Sequence, residues 1–130
     1  MRDLQNEADV MLLVNTFYDK VKKDETLGPV FDHIIGSNWD HHLPTMYKFW
    51  NMVLLSKAGY EGYPTKKHME VNRKIPLHQV HFDRWLELWN ETANTLFKGE
   101  TAKQATEKAK LMGELIRIKV EDSNKGHAIQ

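Results

Sequence analysis

Cysteine is absent from this sequence of 130 residues, and its absence removes several kinds of chemistry. Without cysteine the chain has no disulfide, no thiolate metal site and no thiol nucleophile. An excess of charge of one sign is also lacking, because 18 basic residues balance 18 acidic residues. We therefore expect neither nucleic acid nor an anionic membrane surface as a partner.

Long apolar runs are lacking as well. Runs such as residues 52–55 are far shorter than the roughly 20 residues that cross a bilayer, so we expect no membrane span. The polar N-terminal segment does not have the pattern of a secretory signal, and the expected location is the cytoplasm. A chain of this length has room for one compact domain.

Apolar residues recur instead at helical spacing. Stripes with a spacing of three and four residues, which each predict a substantial helix, begin at Val10, Met46, Phe82 and Ala105. No segment alternates in the manner of a strand. The expected fold is therefore all-α, either a helical bundle or a globin-like sandwich.

Several residues are predicted to begin or end these helices. Asn6 is a candidate cap for the first helix, and Thr101 for the last. Residues 27–29 and 36–38 are predicted breaks. Pro44 predicts either a start near His42 or a distorted first turn for the helix that contains it. The polar tail from about residue 121 is expected to fray.

His68 is a candidate ligand for haem iron. Haem needs a flat apolar slot, an imidazole that can bond iron and a shaped pocket on its other face, and four tryptophans and seven histidines provide suitable rings. Without cysteine, any haem is bound non-covalently. A short helix predicted from Pro64 would carry His68, with Lys67 or Arg73 near a propionate. By itself, however, a histidine beside lysines is more often a surface residue.

A family resemblance supports the interpretation of His68 as a haem ligand. Over nearly the whole chain the sequence resembles the third group of truncated haemoglobins, in matching segments at Phe17-Tyr18, residues 27–31, Trp39 with His42, Phe49-Trp50, residues 66–68 and residues 81–86. The absence of a paired-glycine motif also suits this group better than the other two. The resemblance implies a single truncated-globin domain over residues 1–130, a helical sandwich around one haem b.

The resemblance also implies roles for individual residues. His68 matches the proximal iron ligand, and Tyr18 matches the residue whose hydroxyl donates a hydrogen bond to the iron-bound ligand. Trp85 matches a second donor, through its indole N–H. Phe31 matches the ring packed against haem at the corner, and His42 the distal histidine, which could act as a swinging gate.

Met46, Phe49 and Lys67 complete the predicted cofactor contacts. Met46 and Phe49 lie on a core stripe with or without a cofactor, since a haem slot is itself apolar. By pattern alone, Tyr18 and Trp85 would also be core residues. Lys67 is the predicted partner of a propionate.

The implied function is the binding of oxygen and other small ligands, namely nitric oxide, carbon monoxide or peroxide. Two distal donors would slow the release of oxygen, which favours redox or detoxification chemistry, similar to that of a nitric oxide dioxygenase or a peroxidase, over oxygen delivery. The sequence has no flavin or nicotinamide fingerprint, so electrons would come from an unidentified reductase.

Two alternatives stay open from the residues. In a six-coordinate electron-transfer protein of the b type, Met46 or His42 would close the sixth iron position. In a cofactor-free helical interaction module, every histidine would be incidental.

Overall fold

The computed structural model describes residues 1–60, 67–68, 70–72 and 75–129, with side chains as far as residue 124. Within these residues the chain is helical and contains no strand, which confirms the all-α prediction. The helices are α1 (Glu7–Lys23), α2 (Gly28–Ile35), α3 (Trp39–Leu55), α4 (Gln79–Leu96) and α5 (Glu100–Ile129). Residues 67–68 and 70–72 are helical as well.

Helix α1 begins as its sequence predicts. The side chain of Asn6 accepts a hydrogen bond from the N–H of Asp9 at 2.9 Å, which satisfies one of the free donors of the first turn. One apolar stripe of α1 faces the core, and its members with no more than 1% exposure are Val10, Leu13, Val14, Phe17 and Val21. This buried stripe places Tyr18 at its edge.

The corner between α1 and α2 differs from the predicted break at residues 27–29. Helix α1 ends earlier, and the carboxylate of Asp24 accepts the N–H of Leu27 at 2.9 Å. Gly28 and Pro29 instead begin α2, because proline is tolerated in a first turn. A Cβ atom on Gly28 would lie 3.1 Å from the carbonyl oxygen of Lys22, so a side chain there would push the two helices apart.

Helix α3 starts before His42, so the first of the two alternatives raised by Pro44 is wrong. The helix begins at Trp39 and runs through Pro44, which has no N–H to donate to the carbonyl of Asp40. Its early start puts Trp39 and His42 nearly one turn apart on the same helix.

Stacked tryptophans join α3, α4 and α5. The rings of Trp50 and Trp89 stack with 4.3 Å between their centroids, and both residues are at least 97% buried. The indole N–H of Trp89 donates to the carbonyl of Ala105 at 3.1 Å, so this buried polar atom has a partner. The main core therefore lies where these helices meet α1.

The start of α5 is capped from the other end of the chain, so the prediction of Thr101 as the cap is wrong. The carboxylate of Asp3 accepts the N–H groups of Thr101 and Ala102 at 3.0 and 2.9 Å. Gly99 just before the helix has φ +150°, and a Cβ atom there would lie 2.4 Å from Cγ of Asp3. Glycine therefore permits both this backbone conformation and the approach of Asp3.

Helix α5 also continues past residue 121, where we expected the tail to fray, and it ends at Ile129. Val120 is fully buried, and Arg117 donates to Glu121 at 3.0 Å, so packing and charge pairing extend the helix. Although α5 is long, no helix in the described ranges is apolar enough over sufficient length to cross a membrane.

Candidate functional site

The ring of Tyr18 is surrounded by rings from α2 and α3. Its centroid lies 5.8 Å from that of Phe31, 5.4 Å from Trp39 and 5.1 Å from His42, all in edge-to-face arrangements. The residue is 7% exposed, and burial raises the pKa of its hydroxyl well above the usual range. The hydroxyl therefore stays protonated at neutral pH and keeps its ability to donate a hydrogen bond.

Trp39 belongs to this aromatic cage, although the sequence suggested no role for it at the site. Its ring lies 5.6 Å from His42 and stacks on Phe31 at 6.4 Å. The ammonium of Lys22 lies 4.4 Å from the ring centroid, so a cation–π contact ties the end of α1 to the start of α3. The spacing of three residues between Trp39 and His42 could have predicted this role, because it places both residues on one face of a helix.

His42 is a neutral, half-buried imidazole. Its Nε2 atom is buried and has no hydrogen-bond partner among the described residues. Burial and, to a smaller extent, the charges of His41 and His68 lower the pKa of His42 to about 4. Because the charge of His68 acts on His42, the segment at residues 67–68 lies within electrostatic range of α3.

Of the predicted proximal residues, the structure describes His68 and Lys67. Both lie in the helical residues 67–68, where His68 is partly buried and Lys67 is exposed. Pro64, at which we predicted the start of this helix, and Arg73 lie outside the described residues.

Trp85 is connected to the cage through one intervening ring. Its ring lies 6.0 Å from that of Phe17, which in turn lies 4.9 Å from Tyr18. On its other side, Trp85 is nearly parallel to Trp89, with 6.1 Å between centroids. The preceding residue, Arg84, donates to Asp24 at 2.7 Å and so fixes this part of α4 against the end of α1.

The remaining predicted contacts lie along α3. Met46 is partly buried and packs against the main core. Phe49 is 6% exposed and contacts the rings of Trp50 and Tyr60 at 5.2 and 5.0 Å, so the structure places it in the core rather than beside Tyr18. The hydroxyl of Tyr47, next to Met46, donates to Asn15 of α1 and joins the two helices.

These residues fit a haem group. Aromatic rings supply an apolar slot, and the buried Nε2 of His42 is a polar atom without a partner, the kind of atom that a bound ligand can satisfy. In globins one imidazole of the protein binds the haem iron, and His68, on the separate segment at residues 67–68, lies within electrostatic range of His42. In fold and in site chemistry, the chain is an all-helical globin.

Comparisons with known proteins agree with this class. No profile of a known protein family matches the chain. It is 33% identical over 110 residues to the group 3 truncated hemoglobin ctb of Campylobacter jejuni, an alignment that covers 82% of this chain and 84% of that protein. The crystal structure of a group III truncated hemoglobin from Campylobacter jejuni superposes with a TM-score of 0.83 and 30% identity, over 92% of this chain and 95% of that one.

The chain therefore belongs to the group III truncated haemoglobins, a family of haem-binding globins. This result confirms the resemblance drawn from the sequence segments. It leaves the ligand chemistry of the pocket to be argued from the residues.

Proposed function

We propose that the chain binds one haem b through His68 and holds small ligands on the side of Tyr18 and His42. The observation that carries this proposal is the aromatic cage around Tyr18, combined with the electrostatic influence of His68 on His42. Together they support a slot bounded by a protonated phenol on one side and an imidazole ligand on the other.

Each residue has a defined part in holding the group. His68 would bond the iron, and Phe31 would pack its ring against the porphyrin. Met46 and Phe49 would contribute apolar surface from α3, and Lys67, which is exposed, would meet a propionate. When bound, haem supplies an iron atom that takes oxygen, nitric oxide, carbon monoxide or peroxide at its remaining position.

Tyr18 and Trp85 determine how long a ligand stays. The hydroxyl of Tyr18 is kept protonated by burial, and the indole N–H of Trp85, whose ring lies on the other side of Phe17, is a second donor. Hydrogen bonds to a partly charged oxygen atom slow its release. A protein that releases oxygen slowly is poorly suited to delivery, so we favour redox or detoxification chemistry on nitric oxide or peroxide, with electrons from a reductase partner.

His42 would control ligand access. Its pKa of about 4 keeps the imidazole neutral at physiological pH, and its buried Nε2 atom has no partner among the described residues, so no described hydrogen bond restrains the ring from turning outward. We expect His42→Ala to change the association rate of carbon monoxide more than the dissociation rate of oxygen.

The test of this function measures oxygen release and turnover on the same protein. Ferrous holoprotein is mixed with carbon monoxide to time the release of oxygen, and the consumption of nitric oxide and of peroxide is followed with a supplied reductant. Slow release with turnover of either substrate supports the proposal. Fast release with negligible turnover of both substrates would contradict the proposal and favour oxygen delivery as the function.

A six-coordinate electron-transfer protein is the second candidate, because His42 and His68 are close enough to interact electrostatically. In that case His42 would close the sixth iron position. Ferrous spectra with and without carbon monoxide separate the two functions, since a permanent second histidine gives a six-coordinate spectrum before the gas is added. Protein that stays colourless with added haemin would contradict both.

A further inference from the structure

Asn72 is a buried polar residue, and both the oxygen and the nitrogen of its side-chain amide form hydrogen bonds. It is 7% exposed, and its Oδ1 atom accepts the N–H of Leu77 at 2.7 Å. Its Nδ2 atom donates to Oδ1 of Asn124 in α5 at 2.7 Å. A backbone N–H can only donate, so the bond to Leu77 fixes which end of the Asn72 amide faces Asn124.

This amide pair connects the segment of His68 to the last helix. His68 and Asn72 are one helical turn apart in sequence, in the helical residues 67–68 and 70–72. Asn124 is 52 residues further along the chain, in the part of α5 that extends past residue 121. The extension of α5 therefore makes a direct polar contact with the proximal side of the pocket.

Apolar packing supports the same connection. A second cluster, separate from the main core, contains the buried residues Val30, Leu77, Ile116 and Val120, against which Val71, Ile75 and Phe82 pack. This second cluster thus includes Val71, which precedes Asn72 in the sequence, and two residues of α5, Ile116 and Val120. Polar and apolar contacts agree that the end of α5 is the surface on which this segment rests.

We propose that Asn72 and Asn124 are positioning residues for His68, and that their hydrogen bond sets the approach of the imidazole to the iron. The proposal rests on the haem function argued above. Losing the bond would let the segment shift on α5, so the bond between His68 and iron would change and haem would leave more readily. Neither asparagine touches the cofactor in this scheme.

The test uses holoprotein of the full chain carrying Asn124→Ala. The first measurement is the iron–histidine stretching band in the resonance Raman spectrum of the ferrous, unliganded protein, and the second is the rate of haem transfer to excess apomyoglobin. We expect a shifted band and roughly fivefold faster haem loss, the factor that one neutral hydrogen bond represents.

Matched variants separate positioning from a general loss of stability. Asn124→Asp keeps an oxygen acceptor for Nδ2 of Asn72 and should restore the band to its position in the unmodified protein. Asp122→Ala changes an exposed neighbour on α5 and should leave both measurements unchanged. Asn72→Ala removes both bonds and should have the larger effect; if it does not fold, Asn124→Ala still decides.

The outcomes distinguish this inference from the function on which it rests. If the unmodified protein shows no iron–histidine band, or keeps it in His68→Ala, the haem assignment is wrong and the inference falls with it. If the band depends on His68 but does not move in Asn124→Ala, the haem assignment stands and the inference is wrong. A lower melting temperature with an unmoved band also contradicts it.

Discussion

The two sides of the proposed haem pocket, distal and proximal to the iron, are held in different ways. The distal side consists of rings from α1, α2 and α3 in mutual contact, and Tyr18 and Phe17 belong to the main core. The proximal side is a short helical segment that rests on a small second cluster and the pair Asn72–Asn124. Close packing on several sides resists displacement, whereas a short segment that rests on a small cluster can be adjusted at lower cost. We therefore expect a rigid distal side and a more adjustable proximal side.

The largest expected effect is on the proximal side, where we propose that His68 carries the bond to iron. His68→Ala should abolish normal haem binding, because the alanine side chain has no atom that can bond iron. Haemin titration followed by the ferrous and carbonmonoxy spectra checks this. His33→Ala, at an exposed histidine of α2, is the control and should bind haem normally. Parental spectra in His68→Ala would show that another residue binds the iron.

The next effect tests the distal side. Tyr18→Phe keeps the ring and its packing but removes the donor, so oxygen release should speed up by about tenfold or more, the factor for a hydrogen bond to a charged acceptor. Trp85→Phe should act in the same direction with a smaller change. Stopped-flow displacement of oxygen by carbon monoxide measures both. Unchanged release in the single and double variants would contradict a distal hydrogen-bonding role.

A third prediction concerns pH and the haem-free protein. His42 has a pKa of about 4 when folded and an ordinary value near 6.5 when unfolded, so between these values the unfolded chain binds a proton that the folded chain does not. Stability should therefore fall as pH drops through this range. In His42→Gln this part of the fall should disappear. Urea unfolding from pH 7 to 4 provides the measurement, and an identical pH profile in the variant would show that His42 is not the group responsible.

The smallest expected effect tests how rigid the distal side is. Tyr47→Phe removes the hydrogen bond to Asn15 between α1 and α3 and should lower the free energy of unfolding by about 1 kcal/mol. Oxygen release should change little, because ring contacts still hold Tyr18. Asn15→Ala and the double variant complete a double-mutant cycle. Additive effects of the two substitutions would mean that this bond does not contribute to stability.

Features that depend on local pattern could be predicted from the sequence. The stripe of α1 and its cap at Asn6 follow from residue types within one or two turns, and both are confirmed. The family segments placed Tyr18, Phe31 and His42 at one site, and the structure brings these three together.

Features that depend on distant residues could not be predicted from the sequence. The pairing of Asn72 with Asn124 joins positions that no local rule relates, and Asn72 was no more than part of a polar stretch in the sequence. Similarly, the sequence places Phe49 on an apolar stripe of α3, but helix packing decides that its ring contacts Trp50 and Tyr60.

The cap that Asp3 provides for α5 has a consequence for biosynthesis. Asp3 leaves the ribosome well before Thr101 and Ala102, whose N–H groups it binds and which lie 98 and 99 positions further along the chain. Asp3 therefore lacks these partners until residues 101 and 102 have been translated and the two segments have met. Closing a loop of this length is entropically costly, so we expect this contact to form late, after the more local packing of α1 with α2.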